Sequence, residues 1–500
     1  MTTVAGGASP RQLPLLAVGV VTVAAVTGGL VAAAPTLIVP AGLALAIIAA
    51  ALVSAEIATL AVLFLLFLNV PGLAVGSGAP LIVAASVPLV LGIPLLVALR
   101  RGERIVFTPT FVCMLVLLLI AVASSLASAY TDVALENVRT FLFEGVLLYF
   151  LVSNVIRTPA TLRRAMWALL AAGACLALVT IVQATTQTYY RDYGGFAKPD
   201  PSFLIGKSQP RATGPLGDPN YYGQILIVAV AIGLIFAWRA STPRLRLLAG
   251  GATAISAYAI ALTYSRGTAV ALLVLLILMA AMRYFRGWQI LAMIAAVGAL
   301  LVAVPSYADR VATLSNLTSA NAATGSDPAA DESAQGRSTE LKAGVAAFVD
   351  HPVLGVGPGV FPLHYREYAQ QVGGYLHDAT PTGPEKGLEA KREAHNIVVA
   401  QAADLGLVGL LTFCGLVGLA LGGLIRVRAA NLRSGRSDCA DLATALLLAV
   451  LAYLLTGMFL TLAYETYFWM LLGLAGAATS VALREHGPTG APASRRMSVS

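Results

Sequence analysis

His395-Asn396-Ile397-Val398-Val399-Ala400-Gln401-Ala402-Ala403-Asp404-Leu405-Gly406-Leu407-Val408-Gly409-Leu410 marks the change from a charged, polar segment to an apolar one that continues to about residue 426. Crossing roughly 30 Å of hydrocarbon takes about 20 apolar residues. The stretch therefore reads as the mouth of a membrane helix, with an ionisable imidazole held at its opening. An ionisable group at such a depth marks a functional site by default. The same apolar pattern recurs outward from this point. Of 500 residues, 58% are hydrophobic and 11% charged, and the mean hydropathy is +0.82. A soluble domain carries about a quarter charged residues, and the ten-residue alternation of a membrane barrel is missing. The expected fold is an all-α polytopic membrane protein of about 12–14 transmembrane helices, with a long extracytoplasmic loop that carries short helices.

Fourteen candidate spans are read, at about 13–33, 35–54, 56–75, 79–99, 106–128, 138–156, 162–185, 221–238, 246–264, 267–283, 288–305, 396–426, 440–461 and 464–484. The second and third nearly fuse and the segment near 130–140 is ambiguous, so twelve is equally acceptable. Leu13 to Ala34 resembles the apolar core of a signal peptide but is too long, and is expected to be an uncleaved first helix. The chain divides into amino-terminal transmembrane helices (1–185), an extracytoplasmic loop (186–220), central helices (221–305), a large extracytoplasmic loop (306–394), carboxy-terminal helices (395–484) and a disordered cytoplasmic tail (485–500).

Arginine sets the expected orientation. Short loops at 100–104, 157–164, 239–246, 283–286 and 426–436, with both termini, hold 19 of the 32 Lys+Arg. Short basic loops face the cytoplasm. Both termini are therefore placed inside, and the two long polar segments outside. The net charge of +8 reflects this bias; no basic–aromatic cluster points to nucleic acid. Cys113, Cys175 and Cys414 fall in spans and Cys439 at the edge of one, so no disulfide and no Cys/His zinc spacing is expected. No metal and no cofactor is inferred; Asp327 and Asp331 lie in a small-residue tract that makes a poor site.

Chemistry concentrates in the outer segments. Arg211-Ala-Thr-Gly214-Pro-Leu-Gly217-Asp218-Pro219-Asn220 leads into a span, where Asp218 and Asn220 suit a helix cap and Pro219 its first turn. Arg211 is left for a ligand or for snorkelling to headgroups. Thr263-Tyr264-Ser265-Arg266-Gly267 is a very tight outer turn whose one charge, Arg266, is either a functional group or an interfacial anchor. Residues 316–331 read as a mobile tract. Beyond it, Leu341, Val345, Phe348 and Val349 fall at helical spacing, with Ser338 or Thr339 as cap. Arg337 would sit at that helix's start, where a cation opposes the dipole; it pairs either with an anionic ligand or with Asp331 or Glu332. Gly355, Gly357 and Gly359, in His351-Pro352-Val-Leu-Gly-Val-Gly-Pro-Gly-Val-Phe361, could form an anion nest, and His351 is read as structural. Tyr189, Tyr190, Tyr193, Tyr365 and Tyr368 are candidates for stacking on sugar rings or, by preference, for lining the membrane interface.

The order of these pieces resembles the O-antigen ligase/polymerase (Wzy-type) superfamily of bacterial membrane glycosyltransferases. The matching pieces are Arg211-x-x-Gly214 with Asp218-Pro219-Asn220, then Ser265-Arg266-Gly267, then Arg337, then His351-Pro352-x-x-Gly355-x-Gly357-x-Gly359-x-Phe361, then His395-Asn396 leading into Gly406-x-x-Gly409-Leu410. They cover roughly residues 205–425. Asp404 stands where the family often has Glu.

The resemblance implies transfer of a glycan from an isoprenyl (polyprenyl) diphosphate carrier to an acceptor hydroxyl on a sugar, a lipid-linked sugar or a protein. It implies assembly of cell-envelope polysaccharide at the outer face of a bacterial cytoplasmic membrane. Arg211, Arg266 and Arg337 are the candidate diphosphate-binding forks, since guanidinium pairs bidentately with phosphate oxygens. His395 is the candidate general base. A helix amino terminus and nearby arginines are expected to keep it neutral. Asn396, Asp218, Asn220, Gly355, Gly357, Gly359 and Asp404 are the candidate supporting residues. The expected partners are the lipid-linked glycan donor, a glycan, lipid or protein-linked acceptor, and membrane lipids. Two other function classes stay open: a secondary transporter and an envelope scaffold. Against the transporter, the spans are nearly free of charge, with Glu56, Glu136, Glu144, Asp404, Asp441 and Glu465 at or near helix ends, and no internal repeat is visible. A scaffold leaves three outer arginines and His395 without a role.

Overall fold

A hydroxyl or carboxylate followed by proline opens four of the long helices. Thr108-Pro109, Thr158-Pro159, Asp218-Pro219 and Thr242-Pro243 each place a side-chain acceptor at the cap and proline in the first turn. That satisfies amides the helix itself leaves unpaired and removes one of them. The computed structural model describes residues 54–76, 90–204, 209–284, 328–373, 392–461 and 466–486.

Its main elements are α1 (Ala55–Phe67), α2 (Val70–Gly76), α3 (Gly92–Arg100), α4 (Pro109–Ala127), α5 (Thr131–Val155), α6 (Pro159–Thr185), α7 (Pro219–Arg239), α8 (Pro243–Leu262), α9 (Arg266–Ala281), α10 (Pro328–Asp350), α11 (Phe361–Gln371), α12 (Ile397–Arg433), α13 (Ser437–Gly457) and α14 (Thr466–His486). Among the described residues there is no strand. Among the described residues, eight helices are long and apolar enough to cross a membrane, or nine if α1 and α2, bent by 55°, form one broken span. The chain is an all-α, multi-pass membrane protein. The predicted spans 13–33, 35–54 and 288–305, most of 79–99, the tract 316–327 and nearly all of the tail lie outside the described residues.

Two sequence readings are corrected. The ambiguous segment near 130–140 joins the span after it: α5 starts at Thr131 and carries a π-helical stretch at Phe141–Leu147. The helix expected after Arg337 begins at Pro328, so residues 328–331 are helical and Arg337 lies inside α10, not at its start. Ser338 and Thr339 are therefore not its caps. Leu341, Val345 and Val349 are exposed, while Ala343 and Ala347 are buried. Small residues decide this. Gly344 lies so near Val399 that an added methyl would approach its Cγ1 to 2.7 Å, and only the narrow face of α10 fits that close against α12.

The bundle centres on α7, which packs on α6, α8, α9 and α13. Without a hydrophobic drive inside lipid, close approach through small residues holds such helices together. Gly173 meets Ala229, where a methyl would lie 2.5 Å from the alanine Cβ, and Gly223 abuts Thr268. The two ends of the bundle differ chemically. Arginines gather at one end, where Arg157 and Arg484 both donate to the Arg104 carbonyl and Arg163 pairs with Asp438 at 3.2 Å. The loops that carry the candidate site meet at the other.

Candidate functional site

His395 leaves its strand of coil with φ 45°, a left-handed turn that lets Asn396 cap α12. The Asn396 Oδ1 accepts from the Val398 and Val399 amides at 2.9 and 3.1 Å. Its Nδ2 donates to the Met458 carbonyl at 3.0 Å. Asn396 is thus a cap that also ties His395 to the turn after α13.

The imidazole is held by acids that motif reading missed. His395 Nδ1 lies 2.8 Å from Glu340 Oε2 and 3.0 Å from the Glu393 carbonyl. The hydrogen-bond geometry favours the carbonyl; the carboxylate makes a close charge contact. Both acceptors hold the proton on Nδ1 and leave Nε2 as the basic nitrogen of the neutral ring. Glu340 is 1% exposed and its Oε1 takes Arg392 Nη1 at 2.9 Å. Burial alone would raise the Glu340 pKa, but His395 and Arg392 outweigh it and hold the carboxyl below its ordinary value. Burial likewise favours neutral His395, but the Glu340 charge prevails and raises its pKa, while Arg337 acts in the opposite direction. The expectation that helix terminus and arginines keep the ring neutral is therefore corrected: a buried carboxylate in contact beats more distant cations.

Arg337 is placed within electrostatic reach of His395. Arg211 and Arg266 come together at another turn. Arg211 Nε donates to the Thr263 carbonyl at 3.0 Å, just before Arg266, and the Ala212 amide pairs with the Leu262 carbonyl at 3.0 Å. Arg266 starts α9 behind its Ser265 cap. A methyl on Gly267 would lie 3.1 Å from Phe459, so the Arg266 turn and Asn396 rest on the same Met458-Phe459 segment. The three arginines and His395 share one end of the molecule.

Asp218 caps α7, accepting from the Asn220 and Tyr221 amides at 2.7 and 3.1 Å. This holds Tyr221 so that its hydroxyl donates to Glu393 Oε2 at 2.9 Å; Thr461 binds the same oxygen. Burial pushes the Glu393 carboxyl up, and Tyr221 and His395 only partly offset it.

The glycine loop is not an open anion nest. Asp404 fills it: its Oδ2 accepts from Gly359 at 2.9 Å and its Oδ1 from Phe361 at 3.1 Å. The Val356 and Gly357 amides bind the Ala403 and Asp404 carbonyls at 2.9 and 3.0 Å, and Leu407 binds the Pro352 carbonyl at 2.7 Å. α12 is broken at Gly406, with φ 66°, and there its backbone touches that of Val353, while Gly355 touches that of Asp404. Only residues without a side chain allow these two backbones to meet. Tyr365 and Tyr368 are buried in the small core between α10, α11 and α12, so they line neither a sugar platform nor the membrane interface. Tyr190 is exposed, and Tyr193 bonds Thr188 at 2.6 Å.

Sequence reasoning missed Glu340, Arg392 and Glu393. A signal existed: Glu340 follows Arg337 by one helical turn and so shares its face, and Arg392-Glu393 immediately precede His395. Among the described residues no group of three or more metal-binding side chains occurs.

No curated protein matches the chain. The O-antigen ligase family model matches residues 251–414, a stretch that holds Arg266, Arg337, Glu340, Asp404 and His395 but not Arg211. The chain is thus a multi-pass membrane protein of which about a third, residues 251–414, is similar to the O-antigen ligase family.

Proposed function

We propose that the protein is a glycosyltransferase that moves a glycan from an isoprenyl diphosphate carrier to an acceptor hydroxyl. The observation that carries this reading is the Glu340–His395 contact within the matched segment, with Arg337 nearby. It unites a positioned base with cations suited to a diphosphate.

His395 Nε2 takes the proton of the acceptor hydroxyl as its oxygen bonds to the anomeric carbon. The bond from that carbon to the diphosphate oxygen breaks, and its electron pair leaves with the diphosphate. Arg211, Arg266 and Arg337 bind that leaving group as its charge grows, the kind of stabilisation that usually dominates catalysis. Glu340 holds the ring and stabilises the imidazolium, and the proton then passes to solvent or product. The guanidinium groups supply the charge that a divalent ion supplies elsewhere, so the reaction is metal-independent. The bias of arginine towards one end of the bundle puts that end in the cytoplasm. The site then faces the outer leaflet of a bacterial cytoplasmic membrane, with both termini inside, in the service of envelope polysaccharide assembly.

The test is reconstitution with an isoprenyl-diphosphate glycan and an acceptor panel. Product that disappears in His395→Ala and in Arg266→Ala supports the reading. Carrier-independent uptake of saccharide into vesicles, with no transfer, would replace it with a transporter. Product length separates the ligase, which adds one glycan, from the polymerase, which uses the same donor and extends a chain.

A further inference from the structure

A cavity of about 600 Å³ opens at the segment that leads into His395, whose ring is tied to that segment through the Glu393 carbonyl but is not among the described lining residues. Its volume falls within the roughly 300–1,000 Å³ of small-molecule sites. Glu393 and Ala394, the two residues before His395, form part of its wall, as do the bend between α1 and α2 and the π-helical stretch of α5. Such π turns recur at functional sites because they give up regular helix bonding to re-aim side chains.

The wall differs chemically from the arginine side. Among the described lining residues, Glu144, Glu393 and Asp404 stand against one cation, Lys198, and none of the three arginines is present. Asp404 is committed to loop amides. Glu393 takes Tyr221 and Thr461 on Oε2, and Glu144 takes Thr466 on its own Oε2 at 2.5 Å. Among the described residues neither Oε1 takes a hydrogen bond, which leaves its lone pairs for a donor. Phe143 and Phe361 add apolar ring surface to the same wall. Carboxylate acceptors beside aromatic rings suit hydroxyls on the edge of a sugar and C–H groups on its face. A diphosphate is repelled by such a wall and drawn instead to the guanidinium groups of Arg211, Arg266 and Arg337.

We propose that this cavity is the acceptor subsite, and that it takes a neutral or amine-bearing sugar in preference to a uronic acid or a phosphorylated one. The inference rests on reading His395 as the base. A sugar seated there presents a hydroxyl to the imidazole while the donor diphosphate stays on the arginine side.

The experiment uses the full chain in nanodiscs and two readouts. The first is ligand-observed NMR binding of methyl glucoside, methyl glucosaminide and methyl glucuronide, without donor. Wild type is expected to bind the first two alike and the glucuronide about tenfold more weakly. Glu144→Gln with Glu393→Gln should lose most of that discrimination, with unchanged helical content as the check on folding. The second readout is transfer from a polyprenyl-diphosphate glycan to the same three glycosides. A glucuronide that binds or reacts as well as the glucoside overturns the proposal, and so does discrimination that survives the double substitution. Charge-selective binding without any transfer would keep the subsite and sink the proposed reaction. Transfer that ignores acceptor charge would keep the reaction and sink the subsite.

Discussion

Glu340 Oε2 sits 2.8 Å from His395 Nδ1, and the carboxylate is 1% exposed while the imidazole is 31% exposed. One partner comes from α10 and the other from the mouth of α12. A buried acid therefore backs a base that is still reachable from outside. This polarity sets several measurable consequences.

The pair should govern the acid limb of the rate profile. A raised His395 pKa places that limb above the ordinary imidazole value of 6.5. Glu340→Gln removes the charge that raises it, so the limb should move to lower pH. His395→Ala should cost about 10²–10⁴-fold in turnover, the usual worth of a positioned acid–base group. A limb that stays in place in Glu340→Gln would show that the contact does not tune the base.

Stability should follow the same pair with a definite sign. Folding raises the His395 pKa, so its contribution is full below 6.5 and fades as pH climbs through the folded value. Folding lowers the Glu340 pKa, so its contribution is full above 4.5 and fades as pH falls through its folded value. Thermal unfolding in detergent should show the pair's largest effect between 4.5 and 6.5. The difference between wild type and Glu340→Gln should be greatest there and shrink on both sides.

Arg266→Lys keeps the charge at the start of α9 but loses the planar fork. Turnover with a diphosphate donor should fall by at least about tenfold while the unfolding temperature moves much less, since the positive charge at this position is kept. Equal activity in the lysine variant would refute bidentate binding at this position.

The crossing of the glycine loop with α12 should be intolerant of side chains. Gly355→Ala and Gly406→Ala each place a methyl against opposing backbone, at φ 70° and 66°. The left-handed backbone alone costs roughly 1–2 kcal/mol for a residue with a side chain, and the clash adds to it. Asp404→Ala should destabilise by about 1–3 kcal/mol through the unpaired Gly359 and Phe361 amides. Denaturation midpoints check all three; an undisturbed Asp404→Ala would mean that other groups serve those amides.

Chelator should leave transfer intact, because the proposed clamp is made of guanidinium groups. Loss of activity with EDTA, restored by a divalent ion, would overturn the metal-independent reading.

Much of this was legible in the sequence because membranes impose local rules. Apolar length announces a span, Thr-Pro or Asp-Pro announces its start, and arginine counts distinguish the short loops from the long ones. Asp218 was readable as a cap for the same reason: a cap acts on amides two or three residues away. His395 stood out as an imidazole at the mouth of a span, and Arg266 as a lone charge in a tight turn. Its neighbours were not readable. Large apolar residues in α10 suggested a face that proves to be the exposed one, and the buried face is Ala343, Gly344 and Ala347. The Gly355–Gly359 loop looked like a place for a ligand anion until Asp404, far along the chain, was found to occupy it. Which acid meets His395, and whether that ring is pushed towards or away from its charged form, depends on distances of a few ångströms between distant segments. Local pattern carries the helices, because their hydrogen bonds close within four residues. The tertiary structure alone decides the electrostatics of the site, because a charge acts on whatever is nearest in space.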